Sequence, residues 1–237
     1  MLRLDNTGST VTQLTTQLTS LGYLSQPTNR FTANVEQAVI EFQRTNDLVT
    51  DGIVGPKTWS VLFSAKDGRL LRQKDLNAAA ERLGVTVAAI MAVNEVESRG
   101  HGFLSSGRPT ILFERHIMRR QMRKNGIEDN VIGLAEQRWP GLVNRQPGGY
   151  QGGEREHQRL IAASDIHRIS ALESASWGQF QIMGFQWREL GYENVDQFVQ
   201  RMCATESHQL GAFVAFIKNN NRLLIALQTL NWASFAR

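Results

Sequence analysis

The chain has 237 residues, a formal net charge of +4 and one cysteine, Cys203. This length suits one large domain or two smaller ones, and a single cysteine excludes an intrachain disulfide. The first residues lack the pattern of a secretory signal peptide, and no apolar run is long enough to cross a bilayer. We therefore expect a monomer that is made in a cytoplasm and has no stable membrane insertion.

Residues 1–64 predict a small bundle of three helices. Apolar residues recur at helical spacing over residues 11–21, and a second amphipathic stretch follows Thr32, which suits the N-cap position. A Gly-Pro turn at residues 51–56 precedes a short third helix. The polar segment 64–69 that follows predicts a linker, so this unit is expected to be a separate domain.

Residues 70–237 predict a larger helical domain. Residues 87–93 are apolar on every side, which favours a buried helix, with Thr86 as its cap and Glu95 and Glu97 at its end. Burial and the negative end of the helix dipole both raise the pKa of a carboxyl group there. A protonated acid near neutral pH is what a glycosidase needs. The alternative is that both carboxylates point into solvent.

The rest of this domain follows the same helical pattern with two exceptions. Residues 107–115 predict a short strand, because β-branched and aromatic residues follow a proline. The Gly-rich residues 140–153 predict a mobile loop near the working face. Amphipathic helices are expected at residues 195–202, 206–218 and 223–235. The fold class expected for the whole chain is all-α with one short β element.

The N-terminal unit carries a motif that spans nearly all of it. In order, the motif comprises Gly8-Ser-Thr-Val11, Leu18, Leu21-Gly22-Tyr23, Phe31, Ala38-Val39, Phe42-Gln43, Leu48, Asp51-Gly52-Ile53-Val54-Gly55 and Thr58-Trp59. This unit resembles the peptidoglycan-binding module that precedes many cell-wall hydrolases. The resemblance implies that Tyr23, Asp51 and Gly52 bind the wall, with a polar concavity at Asp51-Gly52 for a peptide stem. The alternative is that these residues only define the fold.

Three motifs carry a second resemblance, over residues 70–237. They are Glu95-Val-Glu97-Ser98, Gly107-Arg-Pro-Thr-Ile-Leu-Phe-Glu114-Arg-His116 and Ser174-Ala-Ser176-Trp177-Gly178-Gln179-Phe180-Gln181-Ile182-Met183-Gly184. This part resembles the N-acetylmuramidase domain of phage endolysins, a lysozyme-like family. Members of that family usually continue into a Tyr-Asn-Gly-Pro segment and a final helix, whereas this sequence ends at Arg237.

The resemblance implies a role for each motif. Glu97 would be the general acid and Glu114 the second carboxylate, which holds a water or stabilises positive charge on the sugar. Glu114 could instead form a purely structural pair with Arg115. The residues expected to contact the glycan are Ser98, Trp177, Gly178, Gln179 and Gln181. Trp177 would stack on a sugar face, with core packing as the alternative.

Other chemistries have weaker support. Glu173-Ser174 is a rival Glu-Ser pair, but the residues before it do not form a strongly apolar helix. The five histidines lack zinc-site spacing, so no metal and no cofactor are expected. Cys203 lies among apolar residues and is expected in the core. The basic run from Arg115 to Lys124 suits a solvated helix face or an anionic surface.

The resemblance implies hydrolysis of the β-1,4 bond between N-acetylmuramic acid and N-acetylglucosamine in bacterial peptidoglycan, for host lysis. The expected partner is peptidoglycan and not nucleic acid. The expected location is the host cytoplasm until release to the cell wall. The alternatives are a lytic transglycosylase and a wall-binding structural protein with a decayed site.

Overall fold

The computed structural model describes residues 1–63, 69–97 and 102–235, with side chains at residues 1–62, 69–94 and 102–235. These parts contain twelve α-helices, one turn of 3-10 helix and a small three-stranded sheet. The predicted mostly helical class is therefore confirmed.

The N-terminal unit is the expected bundle of three helices. They are α1 (Ser9–Ser20), α2 (Ala33–Thr45) and α3 (Pro56–Phe63). Thr32 occupies the N-cap position of α2, as predicted, although its side chain makes no capping hydrogen bond. The buried apolar faces form a core of their own that includes Leu14, Phe31 and Val39.

Nine helices follow in the described residues of the C-terminal unit. They are α4 (Gln73–Leu83), α5 (Val87–Glu97), α6 (Arg115–Lys124), α7 (Asp129–Arg138), α8 (Glu154–Glu173), α9 (Val195–Ala204), α10 (Glu206–Asn219), α11 (Asn221–Gln228) and α12 (Trp232–Phe235). The single helix predicted over residues 223–235 is therefore two helices, α11 and α12. Between them, Leu230 adopts a left-handed φ of 53°. Cys203, at the end of α9, is exposed, so its predicted place in the core is wrong.

Helix α5 begins as predicted but is less buried than predicted. The Thr86 hydroxyl accepts a hydrogen bond from the backbone N–H of Ala89 at 3.2 Å. Ile90 and Val93 are buried with Ala89, whereas Ala88 is exposed. The helix thus buries one face instead of its whole circumference. The glutamates at its end lie outside the described side chains.

The sheet joins the segment after α5 to the segment after α8. Its antiparallel strands are β1 (Ile111–Phe113), β2 (Ala175–Trp177) and β3 (Ile182–Met183). Strand β1 lies where the sequence predicted a strand, and the other two were not predicted. Because side chains alternate along a strand, one face of the sheet points into the core and the other faces outward. The core face carries Ile111, Phe113, Ala175 and Trp177.

The two units have separate apolar cores, one built from residues 11–62 and one from residues 71–227. The domain limits at 1–64 and 70–237 stay a prediction. Among the described residues, no single helix is long and apolar enough to span a membrane. Helices Gln73–Leu83 and Val87–Asn94 reach that length and composition together, but they meet at a bend of 112°.

Candidate active site

Glu114 lies directly after β1, at the N-cap of α6. Its backbone N–H donates to the carbonyl oxygen of Ser174 at 2.9 Å, which extends the pairing of β1 with β2. Carboxylate atom Oε2 accepts a hydrogen bond from the Tyr150 hydroxyl at 2.8 Å. Nδ1 of His116 lies 3.2 Å from the same oxygen without the angle of a hydrogen bond. The carboxylate is 17% exposed and can therefore be reached from solvent.

The Tyr150 hydroxyl is suited to hydrogen-bond donation at this position. Burial and the neighbouring Glu114 carboxylate raise the pKa of Tyr150 above its ordinary value, so the phenol keeps its proton at neutral pH. The ring itself is exposed beside the carboxylate. Tyr150 therefore presents both a donor and an aromatic surface at the site.

Residues 140–153, which connect α7 to α8, bring Tyr150 to Glu114. The Arg115 guanidinium donates to three carbonyl oxygens in this loop, at distances of 2.9–3.1 Å, namely those of Pro140, Gln146 and Pro147. Arg115 thus holds the loop and does not form the pair with Glu114 that the sequence left open. The Gly-rich loop therefore lies beside Glu114, a candidate catalytic residue, and that this is a mobile loop at the working face stays a prediction.

A buried ion pair holds the other side of this loop. The Glu156 side chain is completely buried and lies 2.7 Å from the guanidinium of Arg159. Its carboxylate also accepts hydrogen bonds from the backbone N–H groups of Phe113, Gln151 and Gly152. Burial raises the pKa of Glu156, but these N–H groups and the Arg159 charge together lower it below its ordinary value. The carboxylate therefore stays ionised and joins β1 to the loop.

The outer face of the sheet carries Gln181 next to the site. Its Oε1 accepts a hydrogen bond from the Ser176 hydroxyl at 2.7 Å, and its Nε2 donates to the carbonyl oxygen of Gly178 at 2.8 Å. Ser176 is paired with Leu112, two residues before Glu114. Since residues two apart in a strand share a face, Gln181 and Glu114 belong to the same side of the sheet.

Trp177 lies on the opposite side of the sheet. It is 3% exposed, and its indole N–H donates to the carbonyl oxygen of Leu172 at 3.2 Å. The expectation that Trp177 stacks on a sugar is therefore wrong, and core packing is the observed alternative. The next residue, Gly178, has φ 73°, and a Cβ there would meet the Gln209 side chain. Gly178 thus serves the turn of the motif.

Gln179 contacts the N-terminal unit, because its Oε1 accepts a hydrogen bond from Lys57 Nζ at 3.2 Å. It is buried, and its Nε2 donates to Oδ1 of Asn94 at 2.7 Å. Of the other predicted residues, Glu97 is the last residue of α5, with its side chain outside the described part. Ser98 lies outside the described residues altogether.

The rival acid Glu173 has a structural environment. Its Oε2 accepts a hydrogen bond from Asn125 Nδ2 at 2.8 Å, and its Oε1 accepts one from the Trp187 indole N–H at 2.9 Å. The residue is only 7% exposed. Each oxygen is thus engaged by a donor of the chain.

The predicted wall-binding residues of the N-terminal unit have different surroundings. Asp51 Oδ1 accepts from Gln43 Nε2 at 2.8 Å, and the Gly52 N–H donates to Gln43 Oε1 at 2.9 Å. Asp51 lines a cavity of about 300 Å³ with Gln43 and with Met91 of the C-terminal unit. Tyr23 packs on the bundle core, with its ring edge-on to another aromatic ring. It does not line that cavity.

Two of the five basic residues in the run on α6 are paired with acids in the described part of the chain. Arg119 lies 3.0 Å from Glu136, and Arg123 lies 2.6 Å from Asp129. These contacts favour the solvated helix face over an anionic partner. In the ranges that the structure describes, no three His, Cys, Asp or Glu residues form a group suited to a metal ion.

The fold is that of a modular, mostly helical protein in which a small unit precedes a larger one. The N-acetylmuramidase family model matches residues 86–237, and the peptidoglycan binding domain model matches residues 7–62. A crystal structure of Burkholderia AP3 phage endolysin matches 99% of this chain and 89% of that chain, with 47% identity and a TM-score of 0.92. The chain belongs to the N-acetylmuramidase family and is a glycoside hydrolase that acts on peptidoglycan.

Sequence reasoning missed Tyr150, Glu156 and Arg159. Tyr150 is the one aromatic residue within the loop's Gly-Gly-Tyr-Gln-Gly-Gly run, which is a usable signal in a loop expected near the working face. Glu156 and Arg159 are three residues apart in an ordinary helical pattern. Their burial depends on the position of β1, so the sequence carried no signal for it.

Proposed function

We propose that this chain hydrolyses the β-1,4 bond between N-acetylmuramic acid and N-acetylglucosamine, with Glu97 as general acid and Glu114 as the second carboxylate. The observation that carries the proposal is the carboxylate of Glu114, which is partly exposed on the outer face of the sheet. Family membership supports the substrate class. The products would be reducing N-acetylmuramic acid ends.

The two carboxylates would divide the chemistry. Glu97 ends α5, where the negative end of the helix dipole favours the protonated acid that the leaving oxygen needs. Glu114 has one oxygen engaged by Tyr150, and within the described part of the chain its Oε1 accepts no hydrogen bond. That oxygen can hold the attacking water or stabilise positive charge on the sugar.

Tyr150 would orient Glu114 and border the glycan. Its hydrogen bond fixes the rotation of the carboxylate, and its exposed ring offers a flat surface to a sugar. Gln179 and Gln181 bond to their own chain, so their expected contacts with glycan require exchange of these bonds. Ser98 and Gly178 remain part of the proposed glycan site.

The N-terminal unit would hold the enzyme on the wall through Asp51, Gly52 and Tyr23. Binding there raises the local concentration of the catalytic unit at its polymer substrate. The proposed biological role is host lysis at the end of a phage infection, after release from the host cytoplasm to the wall.

The proposal is tested with Glu97→Gln, which keeps the shape of the side chain but cannot donate the proton. We expect lysis of purified sacculi to fall about 10²–10⁴-fold, the usual contribution of general acid–base catalysis. Glu173→Gln is the matched control. Its activity per folded molecule should equal that of wild type, so the folded fraction is measured for each variant. A fully active Glu97→Gln variant together with an inactive Glu173→Gln variant would move the acid to residue 173.

The products separate hydrolysis from transglycosylation. Mass spectrometry of a digest should show reducing muramic ends that borohydride converts to muramitol. Predominant 1,6-anhydromuramic ends, lighter by one water, would show that the sugar's own hydroxyl attacks. Glu114→Gln should lower hydrolysis, and Tyr150→Phe should lower it less, because the carboxylate remains. A Tyr150→Phe variant with a larger loss than Glu114→Gln would contradict the positioning role.

A further inference from the structure

The ammonium of Lys57 reaches from the N-terminal unit into the C-terminal unit. Its Nζ lies 2.6 Å from Oε2 of Glu206 and donates a hydrogen bond to Oε1 of Gln179 at 3.2 Å. The Lys57 side chain is 19% exposed, and Glu206 is 1% exposed. Cavities of about 300 and 560 Å³ are both lined by Lys57. The Lys57 side chain therefore connects the two units at a place where cavities lie on either side of it.

The Glu206 branch of this contact, from Lys57 to Glu206, holds Gly102, the first residue after Glu97 that the structure describes. Glu206 accepts hydrogen bonds from the backbone N–H groups of Gly102 at 3.0 Å and Leu71 at 2.8 Å. A Cβ at Gly102 would meet the side chains of Glu206 and Gln209, so the backbone passes very close to them. Gly102 follows Glu97 by five positions in the chain. Its place depends on the Glu206 carboxylate.

The Gln179 branch holds the helix before Glu97. Gln179 receives Lys57 on its oxygen and donates through its nitrogen to Asn94, which precedes Glu97 by three positions in α5. Gln209 joins the two branches, because it accepts a hydrogen bond from the Gln179 backbone N–H and donates to the carbonyl oxygen of Gly102. One network therefore contacts the chain on both sides of Glu97.

We infer that Lys57 of the wall-binding unit is a positioning residue for Glu97, acting through Gln179 and Glu206. This inference rests on the proposed role of Glu97 as the acid. Its consequence is that the N-terminal unit does more than hold the enzyme on the wall. It completes the support of Asn94 and Gly102, which lie on either side of Glu97 in the chain. Glycan cleavage therefore depends on this unit even when the substrate needs no wall binding.

The physical reason is the cost of a buried charge without its partner. Within the described residues, Lys57 is the cation that lies on the Glu206 carboxylate. Without it, that carboxylate keeps, among the described residues, only the two N–H donors and must attract water or move. Either of these displaces Gly102, and a shift of about 1 Å at a catalytic group can cost about 10²-fold in rate.

The test compares Lys57→Met with wild type on soluble, uncrosslinked glycan strands from which the stem peptides have been removed. We expect kcat to fall about 10- to 100-fold and KM to change less than about threefold. Cosedimentation with intact sacculi should stay within about twofold of wild type. Lys57→Arg keeps the positive charge and should restore most of kcat. Assays run well below the melting temperature of each variant, so the folded fraction is the same.

Lys74→Met is the matched control, because Lys74 is exposed on α4 and the change removes the same charge. It should leave kcat and KM unchanged. If Lys57→Met does not fold, Lys57→Gln keeps a donor and is judged by the same kcat criterion. A kcat within twofold of wild type, or a loss confined to sacculus binding, would overturn the inference.

The outcome is separable from that of the proposed function. If Glu97→Gln is inactive and Lys57→Met retains full kcat, only the positioning role fails. If Glu97→Gln is fully active, the assignment of the acid fails whatever Lys57→Met does. If Lys57→Arg is as slow as Lys57→Met with an unchanged fold, the charge of Lys57 is not what supports the acid.

Discussion

The two units of this enzyme hold their candidate functional turns by different means. In the N-terminal unit, the neutral amide of Gln43 accepts from the backbone N–H of Gly52 and donates to Asp51 and to the carbonyl oxygen of Ile53. In the C-terminal unit, the carboxylate of Glu156 accepts three backbone N–H groups and pairs with a buried arginine.

The difference follows from the size of the two cores. Among the described residues, the N-terminal core contains 11 buried apolar residues and the C-terminal core contains 32. A buried ion pair carries a large desolvation cost, which only a large core can offset, whereas a buried amide carries a smaller cost. Charge-assisted hydrogen bonds are also stronger than neutral ones. The larger unit can therefore fix the loop beside Glu114 more firmly than the smaller unit fixes its turn.

The largest effect is expected for Glu156→Gln, which leaves Arg159 buried without its counter-charge. Breaking a buried pair costs about 3–5 kcal/mol in the free energy of unfolding. Urea unfolding followed by circular dichroism measures this loss. Glu154→Gln on the same helix is the control, because its pair with Arg108 is exposed and should matter little. Equal losses in the two variants would show that burial of the pair is not decisive.

Glu156→Gln should also change how the stability of the protein depends on pH. The folded-state pKa of Glu156 is lowered, so its contribution to stability is complete above the ordinary carboxyl pKa and is lost as pH falls through the lowered value. Wild type should therefore lose stability on acidification more steeply than Glu156→Gln. Melting temperatures measured from pH 7 down to pH 3 test this, and parallel curves would contradict it.

Trp177→Ala tests whether apolar burial in the larger core stabilises it enough to offset the desolvation cost of its buried charges. Removal of a buried tryptophan costs about 3–5 kcal/mol through lost burial and the cavity left behind. The control is Trp139→Ala, because Trp139 is 38% exposed and should cost much less. A loss of activity on glycan without loss of stability would instead restore the stacking role for Trp177.

Gln43→Ala should have a smaller effect, confined to the N-terminal unit. It leaves the Gly52 N–H without its partner, which costs about 1–3 kcal/mol. Sacculus binding should weaken, because the turn at Asp51 loses its support, and cleavage of soluble glycan should change little. Gln13→Ala on the exposed face of α1 is the control. If Gln43→Ala lowered the free energy of unfolding as much as Glu156→Gln, the buried amide and the buried ion pair would not differ in strength.

The smallest effect is expected for Asp196→Asn, which removes the surface pair with Arg168. Both side chains are more than half exposed, so the pair contributes at most about 1 kcal/mol and is screened by salt. Thermal melts at low and high ionic strength measure it. A large, salt-insensitive loss would show that exposure is a poor guide to the value of ion pairs in this chain.

The sequence by itself determined the position and order of several elements, although not of all. Helical spacing located α1 and α2, the Thr86 cap located the start of α5, and a proline followed by β-branched residues located β1. These features depend on neighbours within a few positions of the chain, because caps, turns and periodicity are local. The motifs that resemble the family were equally readable, since they are contiguous in sequence.

Only the tertiary structure decided which face each residue of a motif occupies. Trp177 and Gln181 belong to one motif, yet the pairing of β2 with β1 and β3 puts Trp177 in the core and Gln181 on the outer face. The partners of Glu114 and Lys57 are likewise distant in the chain, at Tyr150 and at Glu206. Such contacts arise when separate elements pack, and no local pattern encodes them.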